Sequence, residues 1–204
     1  MRCIVRFPAA LLLAAALSLS ACVEGVAPYF VGRETTAPLP AEFVLHAEAD
    51  GKQRAWRLRR DGEAWAWIGE KARTRTALVP LTGAPAGYFI AASWEGERAK
   101  ALYGLVRLSP ADARLFLFDA GKAATALGVP VESSLVSTRF AREDDLAAVF
   151  ADMARRIPPD AAGNVSLGDL KIETKRFAVI DLADPALRAK GEALLAQFGK
   201  DPGD

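Results

Sequence analysis

Two Asp-Gly pairs, at residues 50–51 and 61–62, constrain the fold of this chain more than any other feature. The first joins the alternating run EFVLHAE (42–48) to QRAWRLRR (53–60), and the second joins that run to EAWAWIG (63–69). Asp-Gly between runs of period two is a strong hairpin signal, because both residues tolerate the positive φ of a type I′ turn. The sequence therefore predicts three consecutive antiparallel strands.

The two predicted turns fix which residues face each other across these strands. A two-residue turn at the first pair places Leu45 opposite Trp56, and one at the second pair places Leu58 opposite Trp65. Both registers put the same apolar residues on one face, whereas a one-residue shift would invert that face. These residues are Phe43, Leu45, Trp56, Leu58, Trp65 and Trp67.

Later segments extend the sheet and then change to a helical period. Further strands are predicted at 75–81, 87–94, 99–108, 113–120 and 175–182. Pro80 confines the first of these to an edge or to a strand end. An apolar stripe at helical spacing predicts a helix over 140–157, and it consists of Leu146, Val149, Phe150, Met153 and Ile157.

A second helix is predicted after Asp184-Pro185, a cap followed by proline at the first helical position. Its stripe consists of Leu187, Leu194, Leu195 and Phe198. Strands followed by helices predict an α+β fold, an antiparallel β-meander sheet with helices packed on one face, over its aromatic side. The opposite face, with His46, Arg57 and Arg59, is expected to be mainly solvated.

The first 21 residues have the layout of an export signal. Arg2 and Arg6 precede a nearly wholly apolar run, residues 8–20, and small residues precede Cys22. The run is about a dozen residues, whereas a helix that spans a bilayer needs about 20. We therefore expect a cleaved leader rather than a transmembrane helix.

The sequence Leu19-Ser20-Ala21-Cys22 at the end of this run resembles the lipobox of bacterial lipoproteins. The resemblance implies cleavage before Cys22, a diacylglycerol on its sulfur and usually a third acyl chain on the new amino group. The expected partner is then a membrane, to which the acyl chains anchor the protein. Because Val23 is not the aspartate that retains such proteins in the inner membrane, the resemblance favours the outer membrane, facing the periplasm.

The chain is expected to have three parts. Residues 1–21 are the signal peptide, and residues 22–41 are the lipidated cysteine and a flexible tether rich in proline and glycine. Within that tether, Tyr29 and Phe30 are the residues that could fold back onto the domain. Residues 42–200 are a single globular domain.

Composition and charge exclude several classes of function. Removing the leader from the 204 residues leaves 183, enough for one domain with a sizeable core. Of the 26 basic residues, 24 remain, against 25 acidic ones. The domain therefore lacks the excess of basic residues that is typical of nucleic-acid-binding proteins. His46 is the only histidine, and after lipidation of Cys22 no free thiol remains. No catalytic residue, metal ligand or cofactor is therefore predicted.

The candidate ligand-binding residues are the four tryptophans, since aromatic rings suit glycans and lipids. They are Trp56, Trp65, Trp67 and Trp94. Three of them lie on the predicted core face, so packing of the core is the competing explanation.

These features favour a membrane-anchored lipoprotein that acts as a non-catalytic binding or structural accessory, with an envelope protein or peptidoglycan as a candidate partner. Two alternatives remain. One is a small-ligand carrier with an aromatic pocket for a lipid or a glycan, and the other is a hydrolase that uses carboxylates only.

Overall fold

The computed structural model describes residues 22–26, 28–34, 39–49, 52–68, 74–96, 98, 101–134, 137–158, 160–161 and 163–199. The predicted signal peptide lies outside the described residues. The strands are β1 (Cys22–Gly25), β2 (Glu42–Ala49), β3 (Lys52–Asp61), β4 (Ala64–Ile68), β5 (Thr74–Pro80), β6 (Tyr88–Glu95), β7 (Leu102–Ser109), β8 (Asp112–Phe118), β9 (Val131–Ser133), β10 (Ser137–Phe140), β11 (Gly163–Leu167) and β12 (Leu170–Asp181). The helices are α1 (Ala120–Ala126), α2 (Glu143–Arg156) and α3 (Pro185–Phe198).

Eight antiparallel strands close into a barrel. Strands β2 to β8 follow one another as neighbours, and β12 pairs with β8 on one side and with β2 on the other. The α+β class and the antiparallel order agree with the sequence prediction, but the open meander sheet is wrong. Turn signals specify neighbouring strands along the chain, whereas closure depends on β12, which is far from both partners in sequence.

The register of the first predicted hairpin is confirmed, and that of the second is wrong by two residues. Leu45 pairs with Trp56, as predicted, but Leu58 pairs with Trp67 rather than with Trp65. The turn consists of Gly62 and Glu63, with the glycine at the first central position and a φ of 63°. Because a two-residue shift preserves the face of every side chain, the predicted aromatic face is unchanged.

That aromatic face lines the interior of the barrel. Phe43, Trp56, Leu58 and Trp65 belong to one buried cluster together with residues of β5 to β8 and β12. The prediction that helices cover this face is wrong, because the sheet covers it by curving onto itself. The helices pack on the outside.

Helices α1 and α2 cover the outer face of β5 to β8. The predicted stripe of α2 is confirmed, since all five of its residues are buried there: Leu146, Val149, Phe150, Met153 and Ile157. The first turn of α2 contains acidic residues, and its last turn contains Arg155 and Arg156. These charges complement the helix macrodipole at both ends.

Helix α3 covers the outer face of β2, β3 and β12. Val44 and Ala55 are fully buried beneath it, against Leu194, Leu195 and Phe198. The expectation of a mainly solvated face is therefore wrong for this part of the barrel. Of the predicted α3 stripe, Leu187 is exposed, because it lies beyond the covered area.

Part of the predicted tether packs on the barrel. Strand β1 pairs with the start of β7 and, in parallel, with β10. Tyr29 and Phe30 are buried, and the Tyr29 hydroxyl donates to the Phe140 carbonyl at 2.8 Å. The folding back of these two aromatic residues is thus observed.

Candidate ligand-binding cavity

The interior of the barrel contains a cavity of about 100 Å³. Its walls are apolar side chains apart from Thr76 and Arg114. The guanidinium group of Arg114 is engaged by the Ala161 carbonyl at 3.0 Å and by Asp112 at 3.3 Å. The cavity is therefore a hydrophobic space in which few polar groups can contact a ligand.

Three aromatic rings meet on one side of this space. The Trp56 ring lies 6.2 Å from the Trp67 ring, at an interplanar angle of 69°, and 6.4 Å from the Phe177 ring. The Trp56–Trp67 pair is edge-to-face, and rings in this arrangement attract each other beyond the area that they bury. Neighbouring positions of β3 and β4 hold the two tryptophans, and β12 supplies the phenylalanine.

The cavity is unevenly shielded from solvent. Phe43 and Trp65 are each only 1% exposed, whereas Leu45, Trp67 and Phe177 are half-buried. The inward-facing apolar surface is thus most accessible around Trp67 and Phe177.

The three interior tryptophans differ in the partner of their indole N–H. That of Trp65 donates to the Pro40 carbonyl at 3.1 Å. That of Trp67 donates to the Thr76 hydroxyl at 3.0 Å, which in turn bonds to the Ser93 hydroxyl at 2.9 Å. The N–H of Trp56 is buried and has no hydrogen-bond partner among the residues that the structure describes.

The fourth candidate, Trp94, lies apart from this cavity, on the outer face of β6. The Arg98 guanidinium lies 4.6 Å from its ring centroid and forms an ion pair with Glu34. Burial alone raises the pKa of Glu34, but hydrogen bonds from the backbone and from Arg98, with the charge of Arg98, outweigh it and hold that pKa below its ordinary value. Trp94 is thus part of a largely buried contact, outside the barrel interior, that holds the segment before β2.

Sequence reasoning missed several cavity residues. Thr76 and Phe177 lie in predicted strands, but neither strand has a turn that fixes its register against the aromatic strands. Leu39 was assigned to the tether, yet it lines one end of the cavity. The alternation of Phe177 with Val179 was the signal that this strand faces the same interior.

Cys22, the predicted lipidation site, is the first residue of β1, and its backbone pairs with Ser137 of β10. It lies on the outside of the barrel, away from the aromatic cavity, because β1 joins the sheet beyond the closed strands.

A second, larger cleft of about 1030 Å³, with both polar and apolar lining residues, lies between α1, β10 and the turn that joins β11 to β12. Its cations have carboxylate partners, since Lys122 lies 3.9 Å from Asp119 and Arg156 lies 3.3 Å from Asp152. Among the residues that the structure describes, both basic side chains of this cleft are thus balanced by carboxylates.

Comparisons with known proteins found no matching family model, no similar curated protein and no similar solved structure. In the part of the chain that the structure covers, none of the helices has both the length and the apolar character needed to cross a bilayer.

Proposed function

We propose that this protein is a membrane-anchored envelope lipoprotein whose barrel binds a small apolar molecule without converting it. The observation that carries the binding role is the aromatic cavity of about 100 Å³ inside the barrel. The anchor rests on the lipobox-like sequence that ends in Cys22.

The volume of the cavity limits the size of the ligand, which the amino-acid composition of the chain does not. Closed barrels of eight strands have interiors that side chains fill or that hold one small ligand. An apolar cavity of about 150 Å³ remains dry and binds benzene. The cavity in this barrel is somewhat smaller, so it suits a molecule of about five or six carbon atoms rather than a whole lipid. Its apolar walls also disfavour a glycan, whose hydroxyl groups would lose their hydrogen bonds with water.

The anchor would keep this domain at a lipid surface. Each buried methylene group contributes about 0.8 kcal/mol, so two or three acyl chains hold a protein far more firmly than one chain. We place the domain on the periplasmic side of the outer membrane, because Val23 follows the cysteine.

Replacement of Cys22 by serine tests the anchor. Cells fed labelled palmitate should label the native protein, whereas C22S should stay unlabelled and leave the membrane fraction. If the native protein takes up no label, or if C22S fractionates with the membrane as before, the proposed anchor is wrong.

Filling the cavity tests the binding role. Cyclopentane should bind the native domain, as followed by shifts of its methyl and indole NMR signals. Ala91 lines the cavity, so A91L should abolish these shifts, at a cost of about 1–3 kcal/mol if the core is overpacked. A189L, on the exposed side of α3, is the matched control and should bind cyclopentane normally. Equal binding by A91L and the native protein would place the ligand elsewhere.

A further inference from the structure

We propose that the N-terminal face of the domain, formed by residues 22–26 and 28–34, lies directly on the bilayer, with Val26 and Val31 in contact with lipid. This inference rests on the proposed function, because it takes Cys22 as the acylated first residue. The anchored domain then has one fixed orientation on the membrane instead of hanging from a flexible tether.

The residue that carries the proposed anchor is already part of the folded domain. The backbone of Cys22 pairs with Ser137 of β10. One residue later, Val23 is buried and pairs with Tyr103 of β7. Since β1 is held by strands on both sides, there is no slack between the acyl chains and the sheet. Acylation of Cys22 would therefore bring this side of the domain to the lipid headgroups.

The rest of the N-terminal face is also fixed to the domain. The Phe30 side chain is only 1% exposed, and its backbone N–H donates to the Glu143 carboxylate at 2.6 Å. The carboxylates on and around this face have arginine partners, so headgroup phosphates would meet paired negative charges rather than free ones. These ion pairs are Glu24–Arg139, Arg33–Glu143 and Glu34–Arg98.

Two apolar side chains project into solvent from this fixed face. Val26 is 57% exposed and Val31 is 61% exposed, more than any other large hydrophobic residue in the described part of the chain. Val31 occupies the tip of a tight turn, which the Arg33 N–H closes by donating to the Phe30 carbonyl at 3.2 Å. Turn tips in water usually carry polar residues or glycine.

The position of the two valines gives their exposure a reason. A single exposed hydrophobic residue is normal in a soluble protein. Both of these, however, follow Cys22 within nine residues. Val26 lies at most about 13 Å from Cys22, the length of four residues of extended strand. The acyl chains and this side chain can thus reach the same membrane surface, where burial of apolar area is favourable.

Site-specific quenching by lipid tests this orientation. The mature protein would have no other free thiol, because Cys3 leaves with the leader and Cys22 is acylated. V26C and V31C are each labelled with bimane and reconstituted, with the acylated Cys22, into phosphatidylcholine vesicles. Lipids that carry a nitroxide near the headgroup should quench both labels.

L187C is the matched control. Leu187 is also an exposed apolar residue, but it lies on α3, which packs on β3, directly across the eight-stranded barrel from β7. Its label should keep its fluorescence in the same vesicles. All three positions are exposed, so these replacements leave the core intact.

The outcomes separate this orientation from the anchor itself. If all three labels are quenched alike, the anchored domain has no fixed orientation and the inference is wrong. If none is quenched although the protein incorporates labelled palmitate, the N-terminal face does not contact lipid; the inference is wrong and the proposed anchor stands. If no palmitate is incorporated, the proposed anchor fails, and this inference fails with it.

Discussion

Tyr88 and Tyr103 are two buried tyrosines whose hydroxyl groups have different surroundings. They are 4% and 2% exposed, respectively. The Tyr103 hydroxyl accepts a hydrogen bond from the Tyr29 backbone N–H at 2.9 Å. The Tyr88 hydroxyl is buried without a partner among the described residues, although its ring stacks on Phe116 at 5.8 Å. The same chemical change at the two positions should therefore have different effects.

Y103F should lower the free energy of unfolding by about 1–3 kcal/mol, because it leaves the Tyr29 N–H buried and unpaired. Y88F serves as its matched control, and its effect should lie within about 1 kcal/mol of zero or be stabilising, since the lost hydroxyl has no partner. Urea unfolding followed by circular dichroism measures both. Equal losses in the two variants would contradict the assigned hydrogen bond.

Helix α3 approaches the barrel closely at one glycine. A Cβ atom at Gly191 would lie 2.7 Å from Leu182 Cδ2 and 3.4 Å from side-chain atoms of both Ile180 and Val44. Gly191 is also the one buried residue of this helix within the described residues. The absence of a side chain there lets the helix reach the outer face of the barrel.

G191V should destabilise the protein by about 1–3 kcal/mol through overpacking, even though valine favours the helix over glycine by a few tenths of a kcal/mol. A189V, on the exposed side of the same helix, should cost only about 0.5 kcal/mol, from helix propensity. The denaturant midpoints of the two variants give the comparison. A loss in G191V no larger than that in A189V would show that α3 tolerates a wider separation from the barrel.

Local signals in the sequence were sufficient for most individual elements. The turn before β3 and the stripe of α2 act over a few residues, and both were predicted with the correct face. The shift at Gly62 arose because a glycine can occupy either central position of a two-residue turn, with a different turn type in each case. The role of α3 was not predictable from its own stripe, because the surface that it covers is assembled from distant strands.

Only some of the residues that line the cavity could be predicted, because the others reach it through contacts between distant parts of the chain. Trp56, Trp65 and Trp67 share a face that two nearby hairpins define, so their convergence followed from the sequence. Phe177 and Leu39 reach the same space through closure of the barrel and through the segment before β2. A cavity also depends on volume that side chains leave unfilled, and a one-dimensional pattern does not encode that volume.

All three tyrosines of the chain are affected by the same property of the whole molecule, the withdrawal of their rings from water. Burial raises the pKa of Tyr29, Tyr88 and Tyr103 above the ordinary value of 10.0. The folded protein therefore holds these protons more tightly than the unfolded chain does. Below pH 10 their contribution to stability is fully present, and it is lost as the pH rises through the folded pKa values.

A titration of tyrosinate absorbance should thus show all three groups ionising above their ordinary pKa in the folded protein. In guanidinium, where the chain is unfolded, all three should titrate near 10.0. The free energy of unfolding should fall as the pH is raised beyond that value, and Y103F should reduce this fall because it removes one of the titrating groups. A tyrosine of ordinary pKa in the folded state would contradict the burial described here.

Closure by β12 also sets the order in which the molecule can be completed. Residues 170–181 form the strand that pairs with both β2 and β8. These residues must therefore be synthesised before the free edges of β2 and β8 can form their hydrogen bonds. Until then a growing chain carries two open strands, which are templates for pairing with a neighbouring chain. Contacts between such distant residues also form slowly. A chain that ends before residue 170 should therefore associate with other chains more readily than the full-length protein, because both edges stay open.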